Sequence, residues 1–348
     1  VKTKTLAIAA ALAALAGGAH AQSNVTIYGL FDVGVQLEDA SNGKTVKVVS
    51  GGRSGSRLGF RGTEDLGGGL SAIWVGESGI NLDTGGLGQG GRFFGRQVYV
   101  GLKGGFGTLV AGRVATFGSG TGNFDMFGEI DPMATAFGIA SLGSTMSTAT
   151  GLRVDNTVLY QTPDFSGFQA GVLHSLQAVN NEVPGRGNNV YLTGLGARYA
   201  AGPLYAAVTY EQAHNPAGGS DEKHLQVGAA YDFKVVRLHA AYGRETGLFS
   251  TDLNISGTKN GAGAKAWMVG LTAPLGNGIL RSSYQTRDGE EKGGEDRDVR
   301  VISLAYEYFF SKRTSAYAVV ADSDGRGTLD NVPAYDRRQY TVGLMHKF

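Results

Sequence analysis

The feature that most constrains this chain is an alternation of period two. It recurs in segments of about ten residues from "VTIYGLFDVGVQ" near the start to "YTVGLMHKF" at the end. In the first segment Val25, Ile27, Phe31, Val33 and Val35 share a face, opposed by Thr26, Tyr28, Asp32, Gly34 and Gln36. In the last, Tyr340, Val342, Leu344, His346 and Phe348 oppose Thr341, Gly343, Met345 and Lys347. Fourteen further segments fall near 53–63, 70–79, 92–102, 107–113, 152–162, 168–176, 189–200, 204–213, 222–232, 235–245, 264–273, 278–287, 298–309 and 314–322. No apolar run of helix-spanning length follows Gln22, so any passage through a membrane has to use strands closed on themselves.

The connections alternate in length. "GTEDLGG", "KGGFG", "PDFSG", "AGP", "DFK", "PLGNG" and "FFSKR" are short. The stretches near 37–52, 79–91, 114–151, 177–188, 214–221, 246–263, 288–297 and 323–336 are longer and polar. One quiet rim and one elaborate rim, with both termini on the quiet side and an even strand number, describe an all-β, sixteen-stranded antiparallel transmembrane barrel. A soluble sandwich offers similar strands but not this regular parity. A ring of about sixteen strands is too wide for side chains to fill, so the polar face lines water and the apolar face meets lipid. Turning Arg57, Arg96, Arg153 and Arg237 outward together costs on the order of 10 kcal/mol.

Composition adds two points. Lys2 and Lys4, the apolar "LAIAAALAALA" and the "AHA" ending at Ala21 read as a leader cleaved before Gln22. Without it the chain carries 29 basic against 30 acidic residues, a balance unlike that of a nucleic-acid binder. Residues 22–348 then form one barrel domain.

"VTIYGLFDVGV", "SRLGFRGTEDLGGGLSAIW", "GRQVYVGLKGGFGTLVAGR", "NTVLYQTPDFSGF" and "YTVGLMHKF" resemble the general diffusion porins of Gram-negative bacteria, in particular the β-proteobacterial family, in the right order over Gln22 to Phe348. The resemblance implies a homotrimer in the outer membrane, each barrel narrowed by an inward-folded third long loop, here 114–152. It implies basic wall positions at Arg57, Arg96, Arg113 and Arg153 and an acidic one at Glu77, with Asp125, Glu129 and Asp131 as candidate loop acids. Asp32, Arg61 and Arg237 are candidates for the vestibule. The first strand has Leu30 where some porins carry a lysine, so no relative's charge pattern transfers whole. Phe348 resembles the terminal signal read by the barrel assembly machinery.

Competing motifs fail on context. "GGLGQGG" has G-x-G-x-x-G spacing, but a strand follows where a nucleotide site needs a helix. "DSDGRGTLD" places its glycine too early for a calcium loop. No histidine lies in a G-x-S-x-G or H-E-x-x-H pattern. The expectation is a cofactor-free diffusion channel for ions and small hydrophilic solutes, with mild anion preference and no enzymatic activity. A channel dedicated to one small organic anion or sugar is the alternative, and a soluble secreted β adhesin is a third reading.

Overall fold

The computed structural model describes residues 24–134, 136–248, 262–290 and 296–348; the leader expected at 1–21 lies outside them. Strands β1 (Asn24–Ala40), β2 (Gly43–Ser50), β3 (Arg57–Gly67), β4 (Leu70–Gly79), β5 (Gln97–Gly104) and β6 (Gly107–Ala115) come first. After a long connection follow β7 (Arg153–Gln161), β8 (Phe168–Ser175), β9 (Leu192–Ala201), β10 (Leu204–Ala213), β11 (Glu222–Asp232) and β12 (Arg237–Leu248). The last are β13 (Ala262–Leu275), β14 (Gly278–Glu290), β15 (Val299–Phe309), β16 (Thr314–Gly325) and β17 (Arg337–Lys347). Every pairing is antiparallel; apart from β1 with β3 the pairs are sequence neighbours, and β1 pairs with β17, so the sheet closes. The seventeen strands make sixteen staves, because β2 and β3 both pair with β1, one above the other.

That shared stave corrects one expectation. Residues 37–52 are not a long loop: β1 and β2 form a hairpin turned by Ser41 and Asn42, and the irregular stretch is Gly51–Ser56. Most of β2 is exposed, so both faces tolerate polar residues and the alternation that marks a strand disappears. Asp32 holds the break together. It is fully buried and accepts hydrogen bonds from the backbone N–H groups of Arg53 (2.7 Å) and Ser54 (2.6 Å) and from the Tyr317 hydroxyl (2.7 Å). The vestibule role expected for Asp32 is therefore replaced by a structural one.

The outward faces carry the apolar half of each alternation, with Ile27, Val35, Val227, Leu238, Val269, Ile302 and Val342 all exposed. Aromatic side chains flank this belt at both ends, as membrane barrels require. Tyr242, Trp267 and Tyr340 stand toward the long connections; Tyr199, Tyr231, Tyr308 and Phe310 stand toward the short turns. At the quiet rim Phe348 exchanges two backbone hydrogen bonds of 3.1 Å with Gly29, and its ring meets Phe31 edge-on at 5.0 Å.

The buried apolar cluster sits inside the ring. The connection between β6 and β7 packs on the inner faces of the staves from β8 onward, through Phe117, Met126, Phe127, Ile130 and Met146. Wall glycines make room for it. A Cβ at Gly171 would stand 2.5 Å from Phe117, one at Gly228 2.5 Å from Ile130, and one at Gly270 2.6 Å from Pro132.

Candidate functional site

The site is built where β1, β3 and β4 run side by side. Glu77 follows Val75 on the inner face of β4, in antiphase with Trp74, which points outward. Tyr28 stands opposite Gly59, and Gly59 opposite Glu77. The tyrosine therefore lies over the glycine and donates to Glu77 Oε2 at 3.0 Å. Arg96, just before β5, hydrogen-bonds through its backbone N–H to the Glu77 carbonyl at 3.1 Å and through Nε to Oε1 at 2.6 Å. Arg57 Nε lies 3.9 Å from the other carboxylate oxygen. Arg57 Nη1 also donates to the Gly55 carbonyl at 3.1 Å.

Arg153, at the start of β7, completes the cluster from the other side. It and Arg96 converge on the Thr121 hydroxyl, at 3.4 and 3.3 Å. Among the described residues Arg153 has no carboxylate within 4.0 Å. Arg57 and Arg96 thus share the single carboxylate of Glu77 while Arg153 stands beside them without one, for a net charge of +2 at this wall. Facing them is a hydroxyl- and amide-rich stretch, with Ser119, Thr121 and Asn123 lining the same aqueous cavity of about 1140 Å³.

The loop that supplies this stretch is fastened to the opposite wall by polar contacts. Tyr205 donates to the Met126 carbonyl (2.8 Å), Arg281 to that of Pro132 (2.8 Å) and Gln285 to that of Ala140 (2.7 Å). Glu245 accepts from the N–H and hydroxyl of Ser147 at 3.0 and 2.8 Å, while Arg287 pairs with Glu245 at 2.7 Å. At its far end the Phe137 N–H donates to the Gly52 carbonyl at 2.7 Å, tying the loop to the break between β2 and β3.

The remaining expected residues fall elsewhere. Asp125 accepts the N–H groups of Gly120, Phe127 and Gly128, folding its own loop. Burial pushes its carboxyl up to about 7, against those three donors. Asp131 is also buried, bonded to the N–H groups of Met133 and Leu142. Of the three loop acids only Glu129 is exposed, and it pairs with Arg237 at 3.0 Å. Arg61 is exposed, with its guanidinium 5.1 Å from the Tyr28 ring centre.

Arg113 departs most from its expected place. A register shift between Gly112 and Val114 interrupts the alternation of β6. Arg113 stands opposite the outward-facing Val98 and pairs with Asp155, which also binds Arg92 at 2.7 Å. These three charges border a separate cavity with Phe60, Trp74 and Val100.

Sequence reasoning missed Tyr28, Thr121 and the Arg53–Glu307–Arg281 group, whose pairs measure 2.8 and 3.4 Å. Tyr28 and Arg281 were legible as polar residues on an inward phase. Arg53 shares the phase of Arg57 and Arg61 in the segment expected at 53–63, but the strand starts only at Arg57 and leaves Arg53 in the break.

The profile of a family described as Gram-negative porin matches residues 7–328. An outer membrane porin protein of Bordetella pertussis is 35% identical over 99% of this chain and 100% of its own length. Outer membrane porin protein 32 of Delftia acidovorans is 33% identical, covering 90% of this chain and 88% of that protein. The solved anion-selective porin from Comamonas acidovorans superposes with a TM-score of 0.77 at 27% identity, covering 94% of this chain and 100% of that one. A closed sixteen-stave barrel with an apolar exterior and a charged, water-lined interior, matched end to end by such relatives, belongs to the Gram-negative porin family and is an outer-membrane channel.

Proposed function

We propose that the channel passes ions and small hydrophilic solutes by passive diffusion with a mild anion preference, set where Arg57, Arg96 and Arg153 face the Ser119–Asn123 stretch. The observation that carries this reading is the excess of guanidinium over carboxylate at that wall. The loop carboxylates that oppose such an excess are turned inward at Asp125 and Asp131 or neutralised at Glu129. Charge at a narrow aqueous gap bounded by protein filters solutes without tight binding. The anion selectivity of the Comamonas relative agrees with this sign. Reversal potentials of reconstituted channels in a salt gradient test it, and a cation preference overturns it.

The loop acts as the constriction, with Arg61, Arg237 and Glu129 in the wider vestibule. The leader is removed after Ala21, so the mature chain starts at Gln22; the intact mass of protein from outer membranes checks this. The barrels assemble as a homotrimer, as the family resemblance implies, with Phe348 presented to the assembly machinery during insertion. The mass of the native particle in detergent distinguishes a trimer from a monomer.

A further inference from the structure

The returning half of the connection between β6 and β7 rests on a buried histidine. His224 lies on the inner face of β11 and is 2% exposed. Its Nε2 stands 2.7 Å from Glu222 Oε1, and its Nδ1 stands 2.9 Å from the Ser147 carbonyl oxygen. A second carboxylate oxygen, Glu245 Oε1, lies 3.9 Å from Nδ1. Both ring nitrogens therefore face oxygen acceptors. A neutral imidazole has one N–H and one lone pair, so it satisfies one of these contacts and sets a lone pair against the other. Only the imidazolium donates to both, and nearby carboxylates favour the charged ring.

Every stave around this ring takes part in holding the segment. On β10, Glu211 accepts the Ala149 N–H at 3.0 Å. On β11, the Gln226 amide donates to the Ser147 carbonyl at 3.1 Å. On β12, Glu245 binds the N–H and hydroxyl of Ser147. On β14, Arg287 pairs with Glu245 and donates to the Thr145 carbonyl at 3.2 Å, and Gln285 accepts from the Thr145 hydroxyl at 2.8 Å. Between them β13 presents only Ala264 and Ala266. Of these partners His224 is the one whose donor count changes near neutral pH. Ser147, Thr148 and Arg153 line the same aqueous cavity, so the place of Ser147 bears on the place of Arg153.

We propose that His224 is held as an imidazolium and is a positioning residue of the channel, setting residues 145–151 and through them the guanidinium of Arg153. Its effect on permeation rests on the reading of this loop as the constriction. On deprotonation the proton leaves Nδ1 for water, because the Nε2 proton faces the carboxylate of Glu222. The lone pair left on Nδ1 opposes the Ser147 carbonyl, and the segment moves off β11. A hold that exists only in the protonated form is complete at low pH and is lost as pH rises through the folded pKa.

Histidine-selective 15N solid-state NMR of the protein in lipid bilayers reads the ring directly, and the signal lost in His224→Leu assigns it. At about pH 7.5, above the ordinary imidazole value of about 6.5, His224 shows two protonated nitrogens. Hydrogen exchange of residues 143–151, corrected for its intrinsic pH dependence, becomes about tenfold faster once the spectrum shows the ring neutral. His224→Leu exchanges at the faster rate at every pH. His224→Lys keeps the charge and the donors, so it restores slow exchange and removes the pH dependence. The anion-to-cation permeability ratio follows exchange in all three proteins, and heat-dependent gel mobility verifies folding. A single protonated nitrogen at about pH 7.5 overturns the proposal. So does exchange in the parent protein that stays slow after the ring is neutral, which needs no variant to fold, or a His224→Lys protein as fast as His224→Leu. Exchange that follows the ring proton while permeability stays constant upholds the positioning role and overturns the reading of the loop as the constriction.

Discussion

Tyr28 reaches Glu77 across an intervening strand, donating its hydroxyl at 3.0 Å over the bare backbone of Gly59. A Cβ at Gly59 would stand 2.4 Å from Tyr28 Cζ. The smallest residue in "SRLGFRG" is thus what allows the acid of the wall to be oriented from two sides, by Tyr28 and by Arg96.

Gly59→Ala is therefore expected to push the tyrosine off Glu77. Overpacking at such a contact costs about 1–3 kcal/mol. The denaturant midpoint of the detergent-solubilised barrel should fall, and the double variant Gly59→Ala with Tyr28→Ala should recover much of the loss. An unchanged midpoint in the single variant removes the steric argument.

Neutralising Arg96 or Arg153 to Gln should move the reversal potential toward cations. One charge at a wetted wall contributes about 0.5–1 kcal/mol, a two- to fivefold change in permeability ratio. Arg113→Gln should move it much less, because Arg113 is paired with Asp155 away from the shared cavity. Equal shifts for Arg113 and Arg153 contradict this separation.

Gly228→Val introduces atoms into the space held by Ile130, where even a Cβ would stand 2.5 Å from the isoleucine Cγ2. The loop should lift from β11 at a cost of about 1–3 kcal/mol, and single-channel conductance should change with it. An unaltered conductance in a folded variant shows that the loop does not depend on this contact.

Asp125 is expected to make the loop pH-sensitive. Its folded pKa is raised from 3.8 to about 7, burial being the cause. A carboxyl raised in the folded state contributes stability that is complete below its unfolded value and is lost as pH rises through the folded one. Protection of the loop from proteolysis should therefore weaken between about pH 4 and pH 8. In Asp125→Asn this dependence should flatten; a dependence of the same size places the titrating group elsewhere.

Much of this architecture is legible in the chain because a membrane barrel obeys a local rule. Period-two alternation assigns each side chain to lipid or water, and the parity of short and long connections assigns each turn to a rim. Ile27, Val35, Val227 and Leu238 are exposed as that rule requires. The rule breaks where the backbone leaves its regular phase. The shift beside Gly112 turns Arg113 from the expected wall, and the break at Gly51–Ser56 makes Asp32 a buried acceptor for backbone amides.

The sequence by itself determined the closed barrel, its sixteen staves, its outward apolar face and the polar character of its interior, because each follows from alternation and from the need to satisfy backbone groups in lipid. Tertiary structure alone decided which charges remain available inside. Asp125 and Asp131 are occupied by amides of their own loop, Glu129 by Arg237, and Glu77 by Arg96 and Tyr28. A carboxylate's partner depends on side chains brought together by register and loop path, and no periodicity records that.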